Sequence, residues 1–245
     1  MRGQFTLTEL AEQMKRYLDC PCTYFPPAAE AKPVLDAYTQ ARRRGEKEGF
    51  VPMLVVVDEL LLECFEISQE GKTTAQVRQE LRSARLASGR ELLQSWYGEK
   101  REYREEYWEE LVGEEEDGEA LTGFLSLRDF SGRGTVPVLL AEIPVSHPWE
   151  VFAYLPFGGW NDCPANEEHM AVAKYWFERY GAVPALMTHD VLEYALPTPV
   201  PEDKAMDLAL EQFSYCADIV EQGVETIGRL ADGLARSSVW YFWWD

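Results

Sequence analysis

The chain closes on Val239-Trp240-Tyr241-Phe242-Trp243-Trp244, an unbroken run of aromatic and β-branched side chains. Side chains alternate between the two faces of a strand. Here both alternating sets are apolar, so the segment reads as a strand covered on both sides. Such a strand needs helices over each face of its sheet, which restricts the chain to a layered architecture. Val51 to Val57 has the same character, a short valine-rich apolar run. Thr135 to Val145 and Val183 to Thr188 are further strand candidates, and Leu192 to Leu196 is placed to pair with the latter.

Between these runs the spacing turns helical. Leu7, Leu10, Met14 and Leu18 share one face of a helix over Thr6 to Leu18. Further helices are expected over Ala31 to Arg44, with Pro33 in the first turn, and from a cap at Asp58 through Phe65. One long helix or two should run from Thr74 to Leu111, followed by Pro148 to Tyr154, Pro164 to Tyr180, Glu202 to Ala217 and Val224 to Leu234. The prolines at 21, 26 and 27 mark a loop. The expected class is α/β, with α+β the neighbouring alternative: a C-terminal sheet flanked by helices, and a mainly helical N-terminal half containing at least one strand.

Charge divides the chain unevenly. The net charge is -20, and residues 99–119 hold 3 basic and 11 acidic groups against a near balance before them. Tyr103, Tyr107 and Leu111 recur there at four-residue spacing, the mark of a solvated helix with one apolar stripe. Gly113 to Gly118 reads as a linker. Residues 1–119 are therefore expected as an N-terminal region ending in an acidic helix and linker, and residues 130–245 as the α/β domain. So acidic a surface is unsuited to nucleic-acid phosphates and to anionic membranes, so neither is an expected partner.

The opening Met1 to Leu10 lacks a secretory pattern, and the longest apolar stretch, near Met53 to Leu62, is interrupted by Asp58 and Glu59. The five cysteines are odd in number and scattered, which points to a reducing cytoplasm. Cys20-Pro21-Cys22 has no second pair at matching spacing and reads as a loop with two thiols, not as a metal site.

An ordered set of motifs in the C-terminal part carries a resemblance. It comprises Gly158-Gly159-Trp160-Asn161-Asp162-Cys163-Pro164, Trp176 with Tyr180-Gly181-Ala182, Thr188-His189-Asp190, Glu211-Gln212-Phe213 with Tyr215-Cys216, Asp218-Ile219-Val220, and Trp240 to Asp245. From about Val136 onward the chain resembles a bacterial family known only as a domain of unknown function. The resemblance implies one compact C-terminal domain and no particular reaction.

Ligands of open α/β sheets sit beyond the carboxyl ends of the strands. If the strands are parallel, His147, His189, Asp190 and Asp245 converge there, a set suited to acid–base work or a divalent metal. Cys163, at a helix start, is the candidate nucleophile, with His169 or His189 as its base. Cys163 with Cys216 and a histidine is the alternative zinc set. Trp160 is either a core plug or the wall of a ligand cleft, with Asn161 and Asp162 beside it as helix caps or binding groups. Glu211 and Tyr215, polar groups on an otherwise apolar helix, belong either to a structural hydrogen-bond network or to a binding site.

No phosphate loop, dinucleotide glycine pattern, metalloprotease or nucleophile-elbow motif appears, and no cofactor or oligomeric state is indicated. The leading expectation is a cytoplasmic binding protein whose acidic surface neutralises a basic protein partner, as immunity proteins do with toxins. The alternative is an enzyme or metal-binding domain built on the histidines and aspartates, with Cys163 as a further member.

Overall fold

The structure is a computed structural model describing residues 6–245, so Met1 to Phe5 of the opening segment lie outside the described residues. Thr6 caps α1 (Leu7–Leu18) through a reciprocal box with Glu9. The chain continues through β1 (Cys22–Phe25), α2 (Lys32–Glu48), β2 (Val51–Val56), α3 (Glu59–Ile67), α4 (Thr74–Ser83), α5 (Gly89–Tyr103) and α6 (Trp108–Val112). Then come β3 (Val138–Ile143), a 3₁₀ turn at Pro148–Glu150 leading into α7 (Val151–Tyr154), and α8 (Asn166–Tyr180). β4 (Val183–Met187), β5 (Val191–Ala195), α9 (Glu202–Tyr215), a π-helical turn at Ile219–Val224, α10 (Ile227–Leu234) and β6 (Val239–Trp243) complete the chain.

The fold is α/β, as expected. The described strands form one six-stranded sheet in the order β1-β3-β2-β4-β5-β6. It is mixed, which corrects the premise of parallel strands. β3 runs antiparallel to both β1 and β2, whereas β2 and β4 are parallel, Leu54 lying beside Leu186. β1 falls where a loop was expected. It is four residues long and fenced by Pro21 and Pro26, so its pattern is too short to read, yet Cys22 to Phe25 pair with Ala141 to Val138.

Contacts sort into two compact units. The first takes the chain up to Ala84, Leu125–Phe157 and Pro184–Leu192, and the second Arg85–Phe124, Gly158–Val183 and Glu193–Asp245. This division differs from a boundary between residues 119 and 130. β3 and β4, from the later half, pair with β2 of the earlier half, and helix α5 packs with α8 and α9.

In the first unit, Met14, Leu18, Met53, Phe65 and Phe152 are fully buried. Arg78 on α4 is 9% exposed and points its guanidinium at carbonyls. It donates to Tyr17 O and Leu18 O, at the end of α1, and to Tyr154 O. The Tyr154 ring lies 3.5 Å from the guanidinium carbon, and the Tyr154 hydroxyl donates to Leu18 O. A cation thus meets the negative end of a helix. In the second unit the tryptophans form core: Trp176 stacks on Phe242 and meets Tyr215, Trp240 and Tyr194 edge-on.

The acidic helix also departs from expectation. It breaks after Tyr103 into a 3₁₀ turn, and the buried positions become Arg104, Trp108 and Leu111, while Tyr103 is 82% and Tyr107 42% exposed. Arg104 holds this register. Its Nε and Nη2 donate to the two carboxylate oxygens of Glu221 at 2.6 Å each, and Trp108 packs edge-on against Phe213.

Candidate functional site

Two polar clusters and one charged face emerge. In the first unit, parallel β2 and β4 end side by side, which brings Asp58 to the β4–β5 turn. Asp58 Oδ2 lies 2.7 Å from His189 Nδ1, while Asp58 Oδ1 accepts the Leu60 amide at the start of α3. The other ring nitrogen, Nε2, faces Asp190 Oδ2 at 3.5 Å. Thr188 fastens the turn by donating its hydroxyl to Asp190 and accepting the amides of Asp190 and Val191.

The hydrogen bond to Asp58 raises the His189 pKa above its ordinary value; burial opposes this, and the nearby carboxylate charges reinforce it. Burial alone would raise Asp58, but the His189 hydrogen bond and charge, with the amides of Leu60 and Leu61, hold it below the usual range. Cys64 is pushed up by burial and by the charges of Asp58, Glu63 and Asp190, so it stays a thiol. A histidine ring set between two carboxylates ties two strand ends together.

The expected histidine partner is elsewhere. Val51 pairs with Ile143 and Val56 with Val138, so β3 ends beside the beginning of β2. His147 therefore stands at the opposite end of these strands, exposed and stacked on Trp149, because β3 is antiparallel. Asp245 also has partners of its own in the second unit. Its carbonyl accepts from Asn161 and its amide donates to Asp218. In the sequence Asp58 signals only a helix cap; its second role depends on strand order.

In the second unit, the loop Gly158 to Pro164 bounds a cavity of about 540 Å³. Asn161, Asp162, Cys163 and Tyr215 line it together with Lys100 and Arg104, two cations that the sequence pattern marks only as charge. Trp160 is half-buried and is not among the lining residues. Glu211 instead borders a second cavity, of about 350 Å³, where it accepts from Tyr175 Oη and Trp176 Nε1. Burial raises its carboxyl pKa.

Behind the first cavity runs a buried row. Cys163 Sγ is 3.5 Å from His169 Nε2, and His169 Nδ1 is 2.5 Å from Tyr215 Oη. Of the two expected bases, His169 is the one in reach, with Tyr215 as the group that orients it. Burial lowers the His169 pKa to about 3 and pushes the Cys163 thiol up. The row is neutral at rest, so helix position alone does not make Cys163 a thiolate. Cys216 donates its thiol to Trp243 O, and among the described residues no group of three His, Cys, Asp or Glu side chains is arranged to hold a metal.

Gly158 makes the row possible. Its φ is +87°, and a Cβ there would come within 2.1 Å of Pro164 O, 2.6 Å of His169 Nε2 and 3.0 Å of Cys163 Sγ.

The charged face lies on α5, α6 and the segment after them. All eleven carboxylates from Glu99 to Glu119 are solvent-exposed, and none has an ion-pair partner among the described residues. The cations of the stretch turn elsewhere: Lys100 towards Asp162, Arg104 to Glu221, and Arg101 over the Trp108 ring. Among the described residues no helix is long and apolar enough to cross a membrane.

An α/β protein with a histidine clamp in one unit and a thiol–imidazole row in the other is thus defined. Its C-terminal region falls in a domain of unknown function: residues 139–245 match the family model described as "Domain of unknown function (DUF4253)". The match holds His189, Cys163, His169 and Tyr215 but not Asp58, Lys100 or Arg104. No curated protein and no solved structure matches the chain.

Proposed function

We propose that the protein is a binding protein whose acidic face, from Glu99 to Glu119, docks a basic protein partner. One observation carries this reading: eleven exposed carboxylates without ion-pair partners among the described residues share one stretch of chain with two exposed tyrosines, Tyr103 and Tyr107. Uncompensated charge speeds and steers encounter, and tyrosine is a preferred anchor at the centre of an interface. A face that served only for solubility would have no need to expose large rings.

The clamp at the strand ends weighs against the alternative of an acid–base enzyme there. Both ring nitrogens of His189 already face carboxylates, which leaves neither open to a substrate proton.

The test is low-salt capture from a lysate of the cells that make the protein, followed by titration of the captured species. Support requires a basic protein whose affinity falls steeply as salt rises, about tenfold or more between 50 and 300 mM. Tyr107→Ala should weaken it by a further 1 to 2 kcal/mol, roughly the worth of a moderate interface anchor. A partner indifferent to salt, or to glutamine at Glu105, Glu106, Glu109 and Glu110 together, overturns the reading. So does the absence of any protein partner at low salt.

A further inference from the structure

The cavity beside the Gly158–Pro164 loop holds a cation to which the chain offers one long contact. The Lys100 side chain is only 16% exposed, yet its Nζ has no hydrogen-bond acceptor among the described residues. The carboxylate facing it, Asp162 Oδ2, stands at 3.7 Å, beyond hydrogen-bond length, on a side chain that is 81% exposed. The ammonium thus meets the chain through one long ion-pair contact, of a kind that contributes little, and its hydrogen-bonding capacity stays open towards the cavity.

The neighbouring groups narrow what can complete the site. Arg104 is already closed by the fork of Glu221, so Lys100 is the cation left to an incoming anion. Glu99, Asp162 and Glu168 also line the cavity and oppose a doubly charged phosphate, which favours a single carboxylate. Trp96 lies one helical turn before Lys100 on α5 and lines the same space, offering a flat apolar surface beside the charge. The volume of about 540 Å³ is that of a small-molecule site.

We propose that this cavity binds a small aromatic carboxylate, whose carboxylate displaces Asp162 from Lys100 and whose ring lies against Trp96. Asp162 then acts as a tethered competitor for the anion position. This separates it from an ordinary binding residue, because its removal strengthens binding.

The test is calorimetric titration of the full chain with 2-naphthoate and with its uncharged counterpart, 2-naphthamide. Wild type should prefer the acid by about ten- to hundredfold, the worth of one charge-assisted hydrogen bond. Lys100→Met should abolish that preference. Asp162→Asn should tighten the acid severalfold and leave the amide unchanged. Because Asp162 is exposed, its variant keeps the fold and remains decisive even if Lys100→Met is unstable. Equal affinity for acid and amide overturns the proposal, as does an acid whose binding Asp162→Asn leaves unchanged or weakens. Failure of naphthoate to bind at millimolar concentration does the same.

Discussion

Gly158 and Gly159 offer a paired perturbation in which backbone strain is held constant and packing varies. Both have positive φ, +87° and +79°, so alanine at either strains the backbone by about 1 to 2 kcal/mol. Each substitution also restricts the unfolded chain, which offsets roughly 0.4 to 1 kcal/mol. Gly159→Ala should therefore destabilise by about 1 kcal/mol or less, since nothing lies within 4 Å of its Cβ. Gly158→Ala meets Pro164 O at 2.1 Å and His169 Nε2 at 2.6 Å. That carbonyl accepts the Gly159 amide, and the imidazole is fixed from behind by Tyr215, so neither yields without losing a hydrogen bond. Overpacking of about 1 to 3 kcal/mol and a broken bond or two of about 1 kcal/mol each bring the expected loss to roughly 3 to 5 kcal/mol. Urea unfolding followed by circular dichroism and tryptophan fluorescence would measure both variants. A difference between them under about 0.5 kcal/mol would refute the idea that the loop is pressed against the Cys163–His169 pair.

The His189 clamp predicts two pH windows. Its folded pKa lies above 6.5, so its stabilisation is complete below that value and declines as pH rises through the folded pKa. Asp58, whose folded pKa lies below 3.8, contributes above that value and loses its contribution as pH falls through its lowered folded pKa. The stability gap between wild type and His189→Asn should thus be widest in mildly acidic buffer and shrink as pH rises through the raised His189 pKa, and a gap flat with pH across denaturation midpoints would count against the pairing. Arg78→Met should lose about 2 to 4 kcal/mol, because several buried carbonyls lose a charged donor, and a loss below about 1 kcal/mol would show those bonds to be replaceable by water. Tyr215→Phe, which leaves His169 Nδ1 without its buried partner, should destabilise by about 1 to 3 kcal/mol and speed labelling of Cys163 by a small thiol reagent, with labelling read by mass spectrometry.

Local signals in the sequence were sufficient for most elements. The Thr6–Glu9 box, the Asp58 cap, and the two-faced strands Val51–Val56 and Val239–Trp243 are all written in neighbouring residues, where propensity, capping and periodicity agree. The α/β class followed from them. The sites did not, because each joins residues far apart in the chain. Asp58 and His189 meet because β2 and β4 are parallel neighbours, and His147 is excluded because β3 is not parallel to them; strand direction leaves no trace in the residues of a single strand. Likewise, the four-residue spacing of Tyr103, Tyr107 and Leu111 implied a buried stripe. The helix instead buries Arg104, forked to Glu221, together with Trp108 and Leu111, and the tyrosines turn outward. The sequence determined which segments are helices and strands, because those choices are made by contacts a few residues apart. Only the tertiary structure decided which charges find partners, since that depends on the order in which the strands assemble.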